Sequence, residues 1–385
     1  IRNFLSNEPI PCIENEFAYA KAMLPQITVD ELNRLARQWI TDNNVVILAM
    51  LPDNEKVQKP TEQELLKVYA DAKQIKTERF VDSFVEKPLV ESVPKQSKVI
   101  SKKTDAKLGI TEVVLENGAT VVFKPNDWKN DEILFLALSP GGQSLCDDKD
   151  IVAARIASDV TNTSGLGAFD EVNLQKKMAG KTVSMHDFIS FENEGIRGSA
   201  SPKDLQTMMQ MTYLYFTGIR VDNDAFKTYI EGKINDLRFQ KLNPKAIYLD
   251  SLFKLLYNRS KRYVMLDTND YLSVNQSQVL SFTKQRFSNA GDFTFFFVGN
   301  FKIDSVLPLV QKWIGGISTL QTKEKPRYLQ PAYPDGLSSL TVKKGIEDQA
   351  SIFVQYTNPL VWDRKELLAL DYIVEILNIK LTETV

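Results

Sequence analysis

The stretch Thr111-Glu-Val-Val-Leu-Glu-Asn-Gly-Ala-Thr-Val-Val-Phe-Lys124 decides the reading of the fold. Asn-Gly is a strong turn signal, because a two-residue hairpin needs positive φ at both central positions. The flanking runs, 111–115 and 120–124, are β-branched and apolar, so two antiparallel strands are predicted around Asn117-Gly118. A further strand is expected over 133–138, ending at Pro140-Gly141-Gly142. Helical spacing then runs over 150–162 and 171–178, with Ser164-Gly-Leu-Gly167 as the turn between them. Paired strands are expected at 182–185 and 188–197. Ser201 reads as an N-cap with Pro202 at the first helical position, opening a helix to about Phe216. Helices follow from Asp222 or Asn223 to Phe239, over 244–258 and over 273–287. The apolar run 293–298 predicts a buried strand, and 304–313 a last helix. Strands and helices mixed in this order predict an α+β fold.

On the N-terminal side, Thr28 and Glu31 form a capping-box pattern ahead of an apolar stripe, Leu32, Leu35, Ala36, Trp39 and Ile40. The run 45–51 reads as a buried strand closed by Pro52, and Thr61 with Glu64 opens a second helix to about Ala72. Pro88, Pro94 and five lysines between 95 and 107 mark a linker. A second linker, 322–336, is rich in Pro and Tyr, and beyond it strands at 338–343 and 350–356 precede a helix over 364–381. The order cap, helix, polar turn, buried strand occurs from Thr28 and again from Ser273, suggesting duplicated domains. The expected division is 1–72, the end of one domain; 73–107, a linker; 108–321, a full domain; 322–336, a linker; and 337–385, the start of another.

Composition narrows the function. The chain has 385 residues, with 47 Lys and Arg against 49 Asp and Glu, a net charge of −2. That balance argues against a dedicated nucleic-acid binder, and no apolar run reaches the ~18 residues of a membrane helix. Cys12 and Cys146 are too few for a disulfide framework; free thiols are expected, with a single disulfide the other reading. His186 is the sole histidine, which disfavours a self-contained zinc site, since these use two or three imidazoles.

Each chemical candidate has a plain structural counterpart. Gly165-Leu-Gly167 lacks the further glycine or Gly-Lys-Ser/Thr of a phosphate loop and reads as a turn. Cys146-Asp-Asp-Lys-Asp150 lacks a calcium-loop pattern and suits a helix N-terminus. His186, expected at a strand connection, could be oriented by Asp187 towards Ser184 or Ser190, although neither serine lies in a nucleophile-elbow context. Phe191-Glu-Asn-Glu194 and Asp170-Glu171 supply paired acids whose default is a solvated face. Tyr248, Tyr257, Tyr263 and Tyr271 with Arg259, Lys261 and Arg262 mix rings and cations. A helix–loop interface, peptide recognition and a single-stranded nucleic-acid surface are the readings there. An exposed sheet edge could also take an extended peptide.

Together these segments resemble the pitrilysin/insulinase superfamily of zinc peptidases. Leu115-Glu-Asn-Gly118 with Val121-Val-Phe-Lys124, and Ala137-Leu-Ser-Pro-Gly-Gly-Gln143, are similar to the opening hairpin and glycine turn of each half. Ser164-Gly-Leu-Gly-Ala-Phe169, Ala179-Gly-Lys-Thr-Val-Ser184, Gly198-Ser-Ala-Ser-Pro-Lys-Asp-Leu205 and Phe297-Val-Gly-Asn-Phe301 recur there in this order. The resemblance implies repeated α+β domains, each a mainly antiparallel sheet packed with helices as in the mitochondrial-processing-peptidase-like fold. Four such domains, in two halves, close around a peptide. Residues 1–72 would end the second domain, 108–321 would be the third and 337–385 would open the fourth. An Arg and Tyr pair that holds substrate would lie beyond Val385.

The family's zinc motif, H-x-x-E-H, lies on a helix of its first domain. Here the matching helix is Val152-Ala-Ala-Arg-Ile-Ala-Ser-Asp-Val160, which puts Arg155, Ser158 and Asp159 on the three motif positions. The resemblance therefore implies no catalytic and no metal-binding residue in this chain, with zinc in an N-terminal half or a partner subunit. It implies the noncatalytic part of a bacterial zinc metallopeptidase that helps enclose a peptide substrate, in the periplasm. A standalone, catalytically dead peptide- or protein-binding scaffold is the alternative, and an unrelated hydrolase built on His186 a third.

Overall fold

The computed structural model describes residues 2–41, 43–51, 57–78, 81–82, 84, 86–320, 322–329, 331, 333–346, 349–357 and 362–384. Asp42, Pro52 and Val385 lie outside them. Backbone contacts divide the chain into two units, Ile1–Asp82 and Ser83–Val385. In the first, α1 (Arg2–Ser6), α2 (Ile13–Met23), α3 (Val29–Trp39) and α4 (Glu62–Gln74) contain no buried residue. Their caps are as the sequence reads. Thr28 accepts from the Glu31 N–H at 3.2 Å. Thr61 and Glu64 bond reciprocally, at 2.7 and 3.3 Å. The run 45–51, expected as a buried strand, is exposed and forms no strand. An apolar run becomes a strand only where a neighbouring ladder satisfies its backbone, and none pairs with it among the described residues.

In the second unit the Asn117-Gly118 hairpin is the nucleus of a sheet. Its strands are β1 (Val99–Asp105), β2 (Ile110–Leu115), β3 (Thr120–Pro125), β4 (Ile133–Pro140), β5 (Val183–Ile189), β6 (Asn193–Ala200) and β7 (Thr294–Gly299). Their spatial order is β1-β2-β3-β7-β4-β6-β5. Every neighbouring pair is antiparallel except β3 with β7. Gly118 takes φ +83° at the turn, and the Asn117 side chain donates to the carbonyls of Ile314 and Ile317 at 2.9 and 3.1 Å. The turn is thereby tied to the far end of the domain.

β7 occupies the centre. Phe297 stands opposite Phe123 on β3 and Phe135 on β4, with ring centroids 5.6 and 5.1 Å away. Phe295 and Phe297 are fully buried, but Thr294, Phe296 and Val298 on the other face are only partly so. The run is therefore a two-faced strand rather than one buried on both sides.

The helices of this unit are α5 (Ile151–Asn162), α6 (Glu171–Met178), α7 (Leu205–Thr217), α8 (Asn223–Gln240), α9 (Pro244–Leu256), α10 (Thr268–Ser273), α11 (Gln276–Arg286), α12 (Ile303–Trp313) and α13 (Arg364–Thr384). α5 packs on β5 and α11, and α7 on β5, β6 and α12. Between them Val160, Met208, Met209 and Val310 are fully buried.

Several boundaries differ from expectation. β1 lies inside the stretch 73–107 read as linker. Its Lys102-Lys103 pair suits an exposed edge strand, where charge discourages pairing with other chains, and so hides the strand in the sequence. β5 runs through 186–187, and the turn falls instead at 190–192. There the Ser190 hydroxyl donates to the Asn193 carbonyl at 2.9 Å and accepts its N–H at 3.2 Å. Asn275, not Ser273, caps α11, with Gln278 completing the box. Ser201 precedes one 3-10 turn, Pro202–Asp204, before α7 begins. The stretches 338–343 and 350–356, expected as strands, form no strand and are largely exposed.

Truncating the central ring tests β7's role. Phe297→Ala should cost about 3–5 kcal/mol in urea unfolding, and Phe297→Leu clearly less. A cost below about 1 kcal/mol would remove β7 from the centre of the core.

Candidate functional site

α5 carries the three positions singled out from the sequence. The Arg155 guanidinium reaches out of the helix and donates from Nη1 to the carbonyls of Lys261 and Val264, both at 2.6 Å. Burial pulls its pKa down, partly countered by Tyr271 and Asp270. Ser158 Oγ is buried, and with Thr161 it opposes the upward shift of the Asp187 carboxyl. One residue on, Asp159 Oδ2 accepts from the Tyr229 hydroxyl at 2.8 Å, with Lys233 Nζ at 4.0 Å. A zinc ion needs converging lone-pair donors. Guanidinium is a permanent cation with donors only, a hydroxyl is no general base, and Asp159 is turned towards Tyr229. These residues do not fit a zinc site. No group of three or more His, Cys, Asp or Glu side chains among the described residues could hold a metal ion. What α5 supplies instead is a cross-link, with Arg155 fixing the backbone of 261–264 to the helix.

His186 and Asp187 do not form a pair. They are neighbours within β5, and successive side chains of a strand point to opposite faces. His186 is exposed, with Nε2 3.4 Å from Ser184 Oγ. Asp187 is 3% exposed and accepts from the Thr161 hydroxyl at 3.0 and 3.1 Å. Burial pushes its carboxyl up to about 7, the Thr161 hydroxyl partly opposing this. Ser190 is spent on its turn. The Ser184–His186 contact is therefore not oriented by Asp187.

Of the 191–194 acids, Glu192 is exposed as expected, but Glu194 is fully buried and overturns the solvated-face expectation. It accepts from the Gly142 N–H, and Arg286 Nη1 lies 3.8 Å away. Burial raises the Glu194 carboxyl to about 7 against the pull of Gly142 and Arg286. Arg286, also buried, makes a two-pronged pair with Glu324 at 2.8 and 3.0 Å. Gly142 must be glycine here, as a Cβ would sit 2.4 Å from the Ser190 carbonyl. This network ties the glycine turn, β6, α11 and the segment after α12 into one body. Sequence reasoning missed it because its members lie more than 30 residues apart and share no local pattern.

The remaining candidates resolve as structure. Asp170 caps α6 through the Asn173 N–H at 2.8 Å, and Gly165 and Gly167 make a positive-φ turn. Asp148 pairs with Arg262 at 2.7 Å ahead of α5. Both cysteines are free thiols, Cys12 exposed and Cys146 buried. Tyr257 and Tyr263 stack at 5.2 Å and continue to Phe191 at 5.3 Å and Tyr333 at 5.9 Å.

Comparison with known proteins bears on what this arrangement is. Residues 273–381 match the family model described as the Peptidase M16 inactive domain. The zinc protease PQQL-like protein of Arabidopsis thaliana is 22% identical over 322 residues, 82% of this chain and 31% of that protein. The probable zinc protease PqqL of Haemophilus influenzae is 20% identical over 394 residues, 99% and 41% respectively. Among solved structures, the periplasmic protease PqqL from Escherichia coli aligns with a TM-score of 0.58 at 21% identity, over 86% of this chain and 36% of that one. The chain thus spans roughly a third to two-fifths of these relatives. The resemblance to the pitrilysin-type zinc peptidases holds, and with it the α+β fold. No described helix is long and apolar enough to cross a membrane.

The buried carboxyls give this domain a pH signature. Asp187 and Glu194 bind a proton more tightly folded, at about 7, than at their ordinary values of 3.8 and 4.5. The folding stability they contribute is therefore full below about pH 4 and is lost as pH rises through about 7. Urea unfolding should show stability falling across this window by an order of a few kcal/mol. Asp187→Asn should flatten the fall and be the more stable protein at pH 8. An unchanged slope in both Asp187→Asn and Glu194→Gln would assign the pH dependence elsewhere.

Proposed function

From the match of residues 273–381 to the M16 inactive-domain model and a fold shared with a PqqL protease, we propose that this is the noncatalytic portion of a bacterial zinc metallopeptidase. Arg155 carries the reading. Where a catalytic copy would present an imidazole, the guanidinium is committed to the carbonyls of Lys261 and Val264. On this reading Arg155, Ser158 and Asp159 are the vestige of the motif. Residues 108–321 are then the third domain, 1–72 the end of the second and 337–385 the opening of the fourth.

The physical role of such a domain is enclosure. It forms a wall of the chamber that orients a peptide, so that a zinc-bearing N-terminal half, on the same polypeptide or a partner subunit, meets the scissile bond in a fixed geometry. On this reading the side chains here bind and position the peptide. The periplasm is the proposed compartment, following the Escherichia coli relative's description as a periplasmic protease.

The purified chain, with zinc added, should leave a mixed peptide pool uncut by mass spectrometry while retaining some of its members in equilibrium dialysis. Zinc-dependent cleavage that is lost in His186→Ala would overturn the proposal and revive the His186 hydrolase.

A further inference from the structure

A cleft of about 750 Å³ opens where α9 ends, bordered by Ser251, Lys254, Asn258, Arg259, Tyr333 and Asp335. That volume is in the range of a small-ligand or short-peptide site. Of the mixed tyrosine and arginine cluster read from the sequence, Arg259 lines it. Tyr333 borders the cleft and is backed by Tyr257, which continues through Tyr263 to Phe191 as a ladder of rings.

Three arginines belong to this region, and two are consumed by the fold. Arg262 donates to the carbonyls of Gln143 and Cys146 at 3.0 and 2.6 Å and pairs with Asp148. Arg327 donates to the carbonyls of Ser144 and Cys146, both at 2.6 Å. Arg259 differs. It is exposed, and no ion pair or hydrogen bond engages its guanidinium among the described residues. Lys254, by contrast, is paired with Asp250 at 2.6 Å.

The backbone at Arg259 is also unusual. Asn258 and Arg259 take φ +46° and +58° in succession, closing α9 with the Arg259 N–H on the Lys254 carbonyl at 3.0 Å. Helix ends of this kind favour glycine, or asparagine at one position. An arginine there holds a conformation that its Cβ disfavours, and strain of this sort is found where a side chain is needed in place.

We propose that this cleft is a binding site for an acidic peptide segment. The free Arg259 guanidinium receives a ligand carboxylate in a two-pronged pair, and Tyr333, supported by Tyr257, covers the adjoining peptide plane. Asp335 at the same cleft sets the polarity, accepting from a backbone or side-chain N–H of the ligand. The peptide class rests on the chamber-wall reading; the position of the site rests on the cleft and Arg259 alone.

Fluorescence anisotropy with the whole chain tests this, using a fluorescein-labelled octapeptide that carries two glutamates and its glutamine counterpart. The glutamate peptide should bind at least tenfold tighter, and added salt should weaken it. Arg259→Gln should remove that preference, and Arg259→Lys should restore it only in part. Arg259→Gly should also lose the preference while raising the melting temperature by a few degrees, which separates lost binding from lost folding. Binding by Arg259→Gln within twofold of the native chain sinks the site and leaves the wall reading standing. Absence of binding by either peptide to the native chain sinks both.

Discussion

The second unit depends on the seating of β7 between β3 and β4. Thr294–Gly299 runs parallel to one neighbour and antiparallel to the other, so a strand made late in the chain joins two pieces made early. Without it, the β2–β3 hairpin and the β4–β6–β5 group would each expose an unpaired edge. The rings of Phe123, Phe135, Phe295 and Phe297 close the joint with contacts of 5.1–6.3 Å. Phe216 on α7 continues the stack to Phe293 at 4.9 Å. Ladder hydrogen bonds set the register and aromatic burial supplies the driving force.

Around that core the domain places charge where most domains place none. Asp187, Glu194 and Arg286 are all buried. An unpaired ionised group there costs far more than a hydrogen bond returns. The protein answers in two ways. Arg286 is paired with Glu324, whereas Asp187 and Glu194 are shifted so that a proton neutralises them near pH 7. Arg155 solves the same problem on α5 by donating to two backbone carbonyls. The guanidinium thereby cross-links α5 to the segment 261–264.

The α+β class, the Asn117-Gly118 hairpin and most helices of the second unit were legible in the sequence, because turns, caps and helical spacing act between residues a few positions apart. Thr61 with Glu64 is the clearest case, where a local pattern became the observed reciprocal cap. β1 was not legible because edge lysines look like linker. The run 45–51 misled because apolar character says nothing about whether a partner strand arrives. Of the candidate site, the sequence supplied Arg155, Ser158 and Asp159 and the tyrosine–arginine cluster. It did not supply their use.

By itself, then, the sequence determined the hairpin, the caps, most helices of the second unit and the family resemblance, all of which are properties of residue identity at short spacing. Only the tertiary structure decided that Asp187 and His186 face opposite ways, that Glu194 is buried beside Arg286, that Arg155 is committed to Lys261 and Val264, and that Arg259 stands exposed at a cleft. Each of those depends on which distant backbone a side chain meets, and burial and hydrogen bonding are fixed only when the chain has closed on itself.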